Sequence, residues 1–213
     1  MNSVIVDYNS GNLHSAQKSF QLISNDLGQG QVIISSNPEI ILKAERIILP
    51  GVGSFNDCKL NLLKKTGLIE AMEQRVIKDR VPFLGICVGH QLMASVGLEN
   101  EINTKGFGWI PGTVMKIAPS DPKLKVPHMG WNTLTFDRDH KLFKGINEKA
   151  HAYFVHSYHL VLDNMIDRLS YTEYGQKITA AVLKENMVGT QFHPEKSQAV
   201  GLRFIQNFLL WRP

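Results

Sequence analysis

The hydrophobic pattern of the first hundred residues alternates between short apolar runs and longer amphipathic segments. The apolar runs are rich in Val and Ile, which is typical of strands buried on both faces of a parallel sheet. They predict strands at residues 4–6, 32–34, 46–49 and 83–86. The amphipathic segments predict helices at residues 13–22, 69–80 and 89–96, and helical patterning also follows residues 50–53 through Leu60, Leu62 and Leu63. This alternation predicts an α/β fold with an open, mostly parallel central sheet and helices on both faces.

The pattern changes after about Gly106. Shorter segments rich in β-branched and aromatic residues predict an additional antiparallel region in the second half of the chain. They lie at residues 108–114, 131–134, 153–158 and 178–182. Residues 200–211 predict a closing helix whose apolar face docks on the sheet. Since no internal repeat, low-complexity tract or linker interrupts the sequence, we expect one domain over residues 1–213.

Composition narrows the classes of protein that fit. The chain has 213 residues, 43% of them hydrophobic, and a formal net charge of +4. Its lysines are scattered rather than interleaved with aromatic residues, so we expect no nucleic-acid partner. No segment reaches the ~18 apolar residues of a membrane span, and the first residues lack the pattern of a signal peptide. Two cysteines make no disulfide framework, so we expect a cytoplasmic protein without membrane contact.

Cys87 lies in the sequence G-I-C-V-G at residues 85–89, between a predicted strand and a predicted helix. This arrangement is that of a nucleophile elbow with sulfur in place of a serine hydroxyl. The turn projects the side chain beyond the sheet, the glycines let the backbone pack closely, and the helix N-terminus favours a thiolate. The alternative is a small buried hydrophobic residue, the usual role of a free cysteine. The elbow favours a nucleophile at Cys87, whereas Cys58 has no such setting and is expected to be structural.

His193 is the best candidate base, because it alone among eight histidines has an acidic residue, Glu195, at a useful spacing. In an extended segment, residues two apart face the same side, and Pro194 biases His193 away from helix. Glu195 would then hold the imidazole in one tautomer while its other nitrogen faces the thiol. The alternative is a surface loop in which both side chains only contact solvent. His90 is the second candidate base, although we expect it to point away from Cys87.

The sequence P-G-V-G at residues 50–53 follows an earlier strand, so it can border the same crevice at the carboxyl edge of the sheet. Glycines there let backbone N–H groups approach an oxyanion. A dinucleotide-binding fingerprint is disfavoured, because Asn56 stands where its third glycine belongs. The histidines His128, His156 and His159 show no metal-ligand spacing, and two cysteines do not supply the usual zinc site. We therefore expect no metal and no cofactor.

Taken together, these motifs resemble the class I glutamine amidotransferases, in G-I-C-V-G-H-Q at residues 85–91 and H-P-E at residues 193–195. More narrowly, the chain resembles the glutaminase subunits of imidazole glycerol phosphate synthases, from histidine biosynthesis. The narrower resemblance rests on an ordered set of segments along the whole chain. They are residues 7–13, 49–55, 127–132, 153–158 and 189–197.

The resemblance implies a catalytic triad of Cys87, His193 and Glu195. Cys87 attacks the side-chain amide of glutamine to form a thioester, ammonia leaves, and water releases glutamate. The residues implied for oxyanion and substrate binding are Gly51, Val52, Gly53, Val88, Gln91, His156, Ser157 and Tyr158. The resemblance also implies a heterodimer with a barrel-type cyclase subunit that consumes the ammonia. The positions implied to face this partner are Trp131, Tyr153 and Lys196.

Two positions depart from the family pattern. Asn9 stands where glycine is usual, and asparagine tolerates left-handed backbone better than most residues. His90 replaces a more usual methionine and puts an ionisable group beside the elbow. Two other functions remain open. One is a paralogous amidotransferase that feeds a different acceptor, such as a sugar in surface-polysaccharide synthesis. The other is a non-catalytic α/β binding module, which the complete triad disfavours.

Overall fold

The computed structural model describes residues 2–213. The strands in chain order are β1 (Ser3–Val6), β2 (Val32–Ser35), β3 (Arg46–Gly51), β4 (Phe83–Cys87), β5 (Ala94–Glu99), β6 (Ile102–Lys105), β7 (Ile110–Lys116), β8 (His128–Thr133), β9 (Thr135–Phe136), β10 (His151–His156), β11 (Tyr158–Leu162), β12 (Arg168–Glu173), β13 (Lys177–Lys184) and β14 (Met187–Thr190). The α-helices are α1 (Leu13–Asp26), α2 (Pro38–Ile41), α3 (Phe55–Leu63), α4 (Leu68–Glu73), α5 (Val88–Gln91) and α6 (Gln198–Leu210).

The central sheet has eight strands in the order β2-β1-β3-β4-β14-β13-β12-β9. The first five of these run parallel, and the last three continue the sheet antiparallel. Every residue of β1, β3 and β4 is buried, so both faces of the sheet are covered there. These strands are the continuous apolar runs of the sequence, and the predicted α/β fold with a mostly parallel central sheet is confirmed.

Helices cover the sheet in two groups. Helix α1 packs against α6, where the rings of Phe20 and Phe208 meet edge to face with centroids 6.4 Å apart. Its buried residues Ala16, Phe20 and Ile23 recur at helical spacing, and the Asn12 side chain caps its first turn by accepting from the N–H of Ser15. The second group joins α4 to α2 and α3. Burial of these apolar stripes holds the helices on the sheet.

Two smaller sheets pack beside the central one. Strands β8 and β10 pair antiparallel, with His128 opposite His156 and Trp131 opposite Tyr153. A four-stranded sheet has the order β11-β7-β5-β6 and is mixed, because β5 and β7 run parallel while the other pairs are antiparallel. The predicted antiparallel region in the second half of the chain therefore exists, and part of it extends the central sheet.

The predicted helix at residues 89–96 is wrong. Helix α5 ends at Gln91, and β5 begins at Ala94. Residues 94–99 pair with both β6 and β7, and Gly97 lies so close to Phe55 that an added Cβ would come within 2.6 Å of its ring. A short apolar run does not distinguish a helix from a strand by itself, and here pairing with distant strands decided the outcome.

Other differences are smaller. The predicted strand at residues 153–158 is two strands, β10 and β11, separated at Ser157. The predicted helix at residues 69–80 is α4 followed by one π-helical segment, Gln74–Lys78. Elements without a clear sequence signal were missed, namely α2, β6, β9, β12 and β14. Among residues 2–213, no helix is long and apolar enough to cross a membrane.

Candidate active site

Neighbouring strands of the central sheet bring the predicted site residues to one edge. In the β3–β4 register Gly51 lies opposite Cys87, and in the β14–β4 register Thr190 lies opposite Ile86. Since the three strands are parallel, their carboxyl ends meet at the same edge. His193 follows β14 by three residues, so it reaches the space above Cys87.

The elbow at Cys87 has the geometry that the sequence predicted. Cys87 has a φ of +55°, a left-handed backbone conformation that is strained for a residue with a side chain. The glycines on either side are required by space. A Cβ at Gly85 would lie 2.7 Å from the carbonyl oxygen of Gly89, and a Cβ at Gly89 would overlap the carbonyl oxygen of Leu49. The close contact of strand and helix therefore leaves no alternative to glycine at these two positions.

His193 and Glu195 form a buried pair. Nδ1 of His193 lies 2.8 Å from Oε1 of Glu195, and the two side chains are only 3% and 4% exposed. The contact was expected, but the extended backbone that was predicted to produce it is wrong. His193 is extended, whereas Glu195 lies in a 3-10 turn (Pro194–Lys196) rather than in an extended segment. The turn after Pro194 folds the carboxylate back onto the ring and leaves Nε2 for the side of Cys87.

The surroundings of His193 favour its charged form. Burial lowers the pKa of His193, but the negative charge of the nearby Cys87 sulfur and the hydrogen bond and charge of Glu195 together raise that pKa to about 10. Opposite charges at short range in a buried site stabilise each other strongly. The arrangement is therefore suited to a thiolate–imidazolium pair, in which the cysteine is a nucleophile and the histidine carries a proton.

A cavity of about 250 Å³ opens above these groups. It is lined by the predicted residues Val52, Gly53, Cys87, Val88, Gln91, His156, Ser157, Tyr158 and His193. Glu99 and Val155 also line it and were not predicted. Glu99 accepts a hydrogen bond from the N–H of Phe55 at 2.6 Å, and it was missed because the strand β5, which ends at Glu99, was not predicted. A larger pocket of about 490 Å³ beside Lys141–Phe143 contains neither cysteine.

Two glutamine side chains connect the cavity wall to the sulfur. Nε2 of Gln91 donates to the carbonyl oxygen of Tyr158 (2.9 Å) and to Oε1 of Gln191 (3.0 Å). Nε2 of Gln191 in turn donates to the Cys87 sulfur at 3.6 Å. Gln191 is fully buried and was missed as a site residue. The sequence indicates only that Gln191 directly follows β14. That position places Gln191 near Cys87 only because β14 lies beside β4, which the sequence does not show.

The segment after β3 is held by the turn that follows β1. Gly51 packs closely, because a Cβ there would lie 2.6 Å from the Tyr8 hydroxyl and 2.7 Å from the N–H nitrogen of Gly89. Its neighbour Val52 forms hydrogen bonds with Ser10 through both of its backbone polar groups. In that same turn Asn9 has a φ of +63°, the left-handed conformation that glycine or asparagine adopts most readily.

The residues expected to face a partner lie together on one surface. The rings of Trp131 and Tyr153 meet edge to face at 5.9 Å, and Nζ of Lys196 lies 5.9 Å from the centre of the Tyr153 ring. Trp131 is 47% exposed and its neighbour on the same face of β8, Met129, is 62% exposed. The backbone of Tyr153 is also tied to the site, because its carbonyl accepts from the N–H of His193 at 3.0 Å.

Burial keeps four other histidines uncharged at neutral pH. Burial lowers the pKa of His90 to about 3, so this ring is neutral and poorly suited to serve as the base. Burial also lowers the pKa of His156 to about 3 and of His128 and His159 to about 4. In the part of the chain that the structure describes, no three His, Cys, Asp or Glu residues form a metal-binding group.

A sequence model of the family "Glutamine amidotransferase class-I" matches residues 6–211. The chain belongs to the class I glutamine amidotransferase family. It is 56% identical to the "Imidazole glycerol phosphate synthase subunit HisH" of Cereibacter sphaeroides, with 100% of both chains covered. It is 50% identical to the protein of the same name from Mesorhizobium japonicum, again with 100% of both chains covered.

Solved structures share the fold at much lower identity. The crystal structure of a glutamine amidotransferase matches with a TM-score of 0.71 at 17% identity, over 97% of each chain. A putative GMP synthase protein from Thermoplasma acidophilum matches with a TM-score of 0.68 at 18% identity, over 98% of this chain and 92% of that one. These two similarities support the class I amidotransferase fold.

Proposed function

We propose that this chain is the glutaminase subunit of an imidazole glycerol phosphate synthase, and that Cys87, His193 and Glu195 are its catalytic triad. The observation that carries the proposal is one cavity in which the Cys87 sulfur faces a histidine held by a buried carboxylate. The high identity of the whole chain to subunits of that name supports histidine biosynthesis as the pathway that uses the ammonia.

The geometry accounts for each step of glutamine hydrolysis. The Cys87 thiolate attacks the carbon of the side-chain amide, and the negative charge passes to the amide oxygen. The proton on His193 goes to the leaving nitrogen, ammonia departs, and a γ-glutamyl thioester remains. His193 then takes a proton from water, the hydroxide attacks the thioester, and glutamate leaves as the sulfur is restored. Glu195 keeps the ring oriented throughout.

The substrate enters the cavity with its amide toward Cys87. The backbone from His156 to Tyr158 forms the wall where we place the amino-acid end of glutamine. Gly51, Val52 and Gly53 supply the backbone that stabilises the oxyanion, together with Val88. The exposed surface of Trp131, Tyr153 and Lys196 faces a barrel-type cyclase subunit in a heterodimer, and the ammonia passes to it rather than to solvent.

The test is glutamate release from glutamine, measured with and without a barrel-type cyclase partner and its ligand. We expect weak turnover alone and strong turnover in the complete mixture. Cys87→Ala abolishes it, by about a thousandfold or more, whereas Cys58→Ala retains it. The product with ammonia incorporated identifies the acceptor and separates this function from that of a paralogous amidotransferase. An inactive native protein in the complete mixture contradicts the proposal.

A further inference from the structure

We propose that five side chains of the site form two hydrogen-bonded arms of fixed direction that meet on the Tyr158 carbonyl oxygen, and that the inner arm, Gln91 and Gln191, aims an N–H group at the Cys87 sulfur. The outer arm runs from Asn132 through His128 and His156 to the Tyr158 carbonyl oxygen, and the inner arm runs from that oxygen through Gln91 and Gln191 to the sulfur. We call the two arms together the Tyr158 network. Its members are Asn132, His128, His156, Gln91 and Gln191. The proposal rests on the glutaminase function proposed above and names the side chains that position its nucleophile and its substrate wall.

The direction is set at the outer end by Asn132. Its Oδ1 accepts from the N–H of Thr133 at 2.8 Å, and its Nδ2 donates to the carbonyl oxygen of Glu173 at 2.9 Å. Backbone N–H and C=O groups cannot exchange roles, so the amide has only one orientation. The second hydrogen of Nδ2 then faces Nε2 of His128 at 3.2 Å. Nε2 of His128 must therefore be an acceptor.

The two histidine rings transmit this direction inward. Because Nε2 of His128 accepts, its proton is on Nδ1, which lies 3.0 Å from Nε2 of His156. Nε2 of His156 then accepts in turn, and its proton is also on Nδ1, which lies 2.8 Å from the carbonyl oxygen of Tyr158. That carbonyl is an acceptor whatever happens elsewhere. Reasoning from either end therefore gives the same result, one proton on Nδ1 of each ring.

Packing keeps both rings in place and uncharged. His128 and His156 are direct partners in the β8–β10 ladder. The ring of His128 is stacked on Phe154 and Tyr174, with centroids 4.8 Å and 4.1 Å away. Burial lowers the pKa of both histidines well below neutral, so neither ring takes up a second proton. Nε2 of each ring therefore stays free to accept the hydrogen bond from the side chain before it in the arm.

The inner arm carries the direction from Tyr158 to the nucleophile. The Tyr158 carbonyl requires a donor, so it fixes Nε2 of Gln91 on its side. The same nitrogen donates to Oε1 of Gln191, which leaves Nε2 of Gln191 to face the Cys87 sulfur. A hydrogen bond donated to sulfur stabilises the thiolate over the thiol. Gln191 therefore acts directly on the reacting atom, and the other four side chains are positioning residues.

Ionisable groups surround the network without belonging to it. His90 and His159 lie near His156, and Tyr174 stacks on His128. The titratable groups outside the network that couple to the Cys87 sulfur or share its cavity are His193, Tyr8, Cys58, Glu99 and the Tyr158 hydroxyl. The donor that the network presents to the sulfur is the uncharged amide of Gln191. The stabilisation that this donor gives to the thiolate therefore does not depend on the pH.

The tautomers are tested directly by nitrogen NMR of the full chain labelled at its histidines. We expect Nδ1 protonated and Nε2 unprotonated in both rings between about pH 6 and pH 8. Asn132→Asp replaces the donor by an acceptor, so a proton moves onto Nε2 of His128. Asn103→Asp makes the same change at an exposed position of β6 and leaves the spectrum of both rings unchanged. Protonated Nε2 in either ring of the native protein overturns the proposal.

The effect on the nucleophile is tested by alkylation with iodoacetamide, followed at the Cys87 peptide by mass spectrometry. Gln191→Met removes the N–H donor at similar length, and the alkylation rate near pH 7 falls roughly three- to tenfold. Gln17→Met removes a hydrogen-bonded glutamine far from the cavity, whose partner is the Val32 carbonyl, and leaves the rate unchanged. Equal rates for the two variants overturn the role of Gln191.

The effect on the substrate wall is tested by a pair of substitutions at His156, assayed with the partner subunit. His156→Phe keeps a ring but removes the donor to Tyr158, and KM for glutamine rises roughly three- to tenfold more than kcat falls. His156→Asn keeps an N–H at the place of Nδ1 and restores most of the loss. Equal KM values in the two variants contradict the proposal. The tautomer and alkylation measurements need no turnover, so they remain decisive even where the proposed glutaminase function fails.

Discussion

The Ser10 hydroxyl is hydrogen-bonded to both backbone polar groups of Val52. Ser10 Oγ donates to the Val52 carbonyl at 2.7 Å and accepts from the Val52 N–H at 3.2 Å. The Cys58 sulfur lies 3.2 Å from the same hydroxyl and 3.4 Å from the Val52 carbonyl. An N–H engaged in this way does not stabilise an oxyanion in the cavity, so in this conformation Val52 does not yet supply the donor proposed for it.

Ser10→Ala is therefore expected to increase glutaminase turnover in the absence of a partner. Loss of the hydroxyl frees the Val52 N–H to turn toward the cavity, and we expect roughly a three- to tenfold rise in kcat for glutamine hydrolysis. The control is Ser54→Ala, which removes the nearby hydroxyl that caps α3 without touching Val52. Unchanged or lower turnover of Ser10→Ala, with the fold intact by circular dichroism, contradicts this account.

Glu195→Gln is expected to move the alkaline limit of activity to lower pH. The hydrogen bond and charge of Glu195 help to raise the pKa of His193 to about 10, so their loss lowers that pKa. His193 then loses its proton at lower pH, and kcat/KM for glutamine declines earlier on the alkaline side. The measurement is kcat/KM from about pH 6 to pH 10. Glu185→Gln, at an exposed carboxylate paired loosely with Arg80, leaves the profile as it is.

His90→Met is expected to stabilise the fold. Burial lowers the pKa of His90 to about 3, against about 6.5 unfolded, so the unfolded chain binds the additional proton between these values. Stability is therefore complete above about pH 6.5 and declines as the pH falls toward 3. Methionine removes this dependence of the stability on pH. It also avoids burying the two ring nitrogens of His90, which have no well-formed hydrogen bond within residues 2–213.

The expected gain is about 1–2 kcal/mol in the free energy of unfolding near pH 7, and it grows as the pH falls. Urea denaturation at about pH 7.5 and pH 5.5 measures both effects. His14→Met, at an exposed position of α1, serves as the control and changes the unfolding free energy by less than about 0.5 kcal/mol. A less stable His90→Met variant at both pH values would count against this interpretation.

Gly89→Ala is expected to disrupt the elbow. The new Cβ would overlap the Leu49 carbonyl oxygen, so β3 and α5 must move apart and Cys87 with them. We expect a loss of more than about 3 kcal/mol of unfolding free energy, measured by chemical denaturation. In the control Gly28→Ala, the new Cβ meets no atom within 4 Å. The only loss of unfolding free energy is that of placing a side chain at a φ of +61°, about 1 kcal/mol. Similar losses in the two variants would show that contact with Leu49 is not the cause.

Trp131→Ala is expected to weaken binding of the proposed cyclase subunit. An exposed tryptophan that packs against Tyr153 is the kind of side chain that dominates interface energies, and we expect about 2 kcal/mol or roughly a thirtyfold rise in Kd. Isothermal titration measures Kd, and the melting temperature should change little. Ile166→Ala shortens an apolar side chain that is 67% exposed on another surface, and should leave Kd unchanged.

Much of the fold was predictable because its signals are local. Continuous apolar runs gave β1 to β4, helical spacing gave α1 and α6, and the glycines around Cys87 gave the elbow. The pairing of a histidine with Glu195 was predicted from a spacing of two residues. The strands, helices and elbow depend on backbone sterics and side-chain periodicity over a few residues, which a sequence states directly. The contact of His193 with Glu195 instead arises from the 3-10 turn after Pro194, which the spacing of two residues did not predict.

Other features were decided only by tertiary structure. Whether residues 94–99 form a strand depended on pairing with β6 and β7, and Glu99 entered the cavity as a consequence. Gln191 meets Cys87 because β14 lies beside β4, and His128 meets His156 because β8 pairs with β10.

The sequence by itself therefore determined which residues are chemically capable and which local shapes they adopt. The tertiary structure decided which of them share a cavity, which donors face the sulfur, and which rings are buried enough to stay neutral. The physical reason is that hydrogen-bond partners and burial depend on strands that lie up to about a hundred residues apart in the chain, and no local pattern records that pairing.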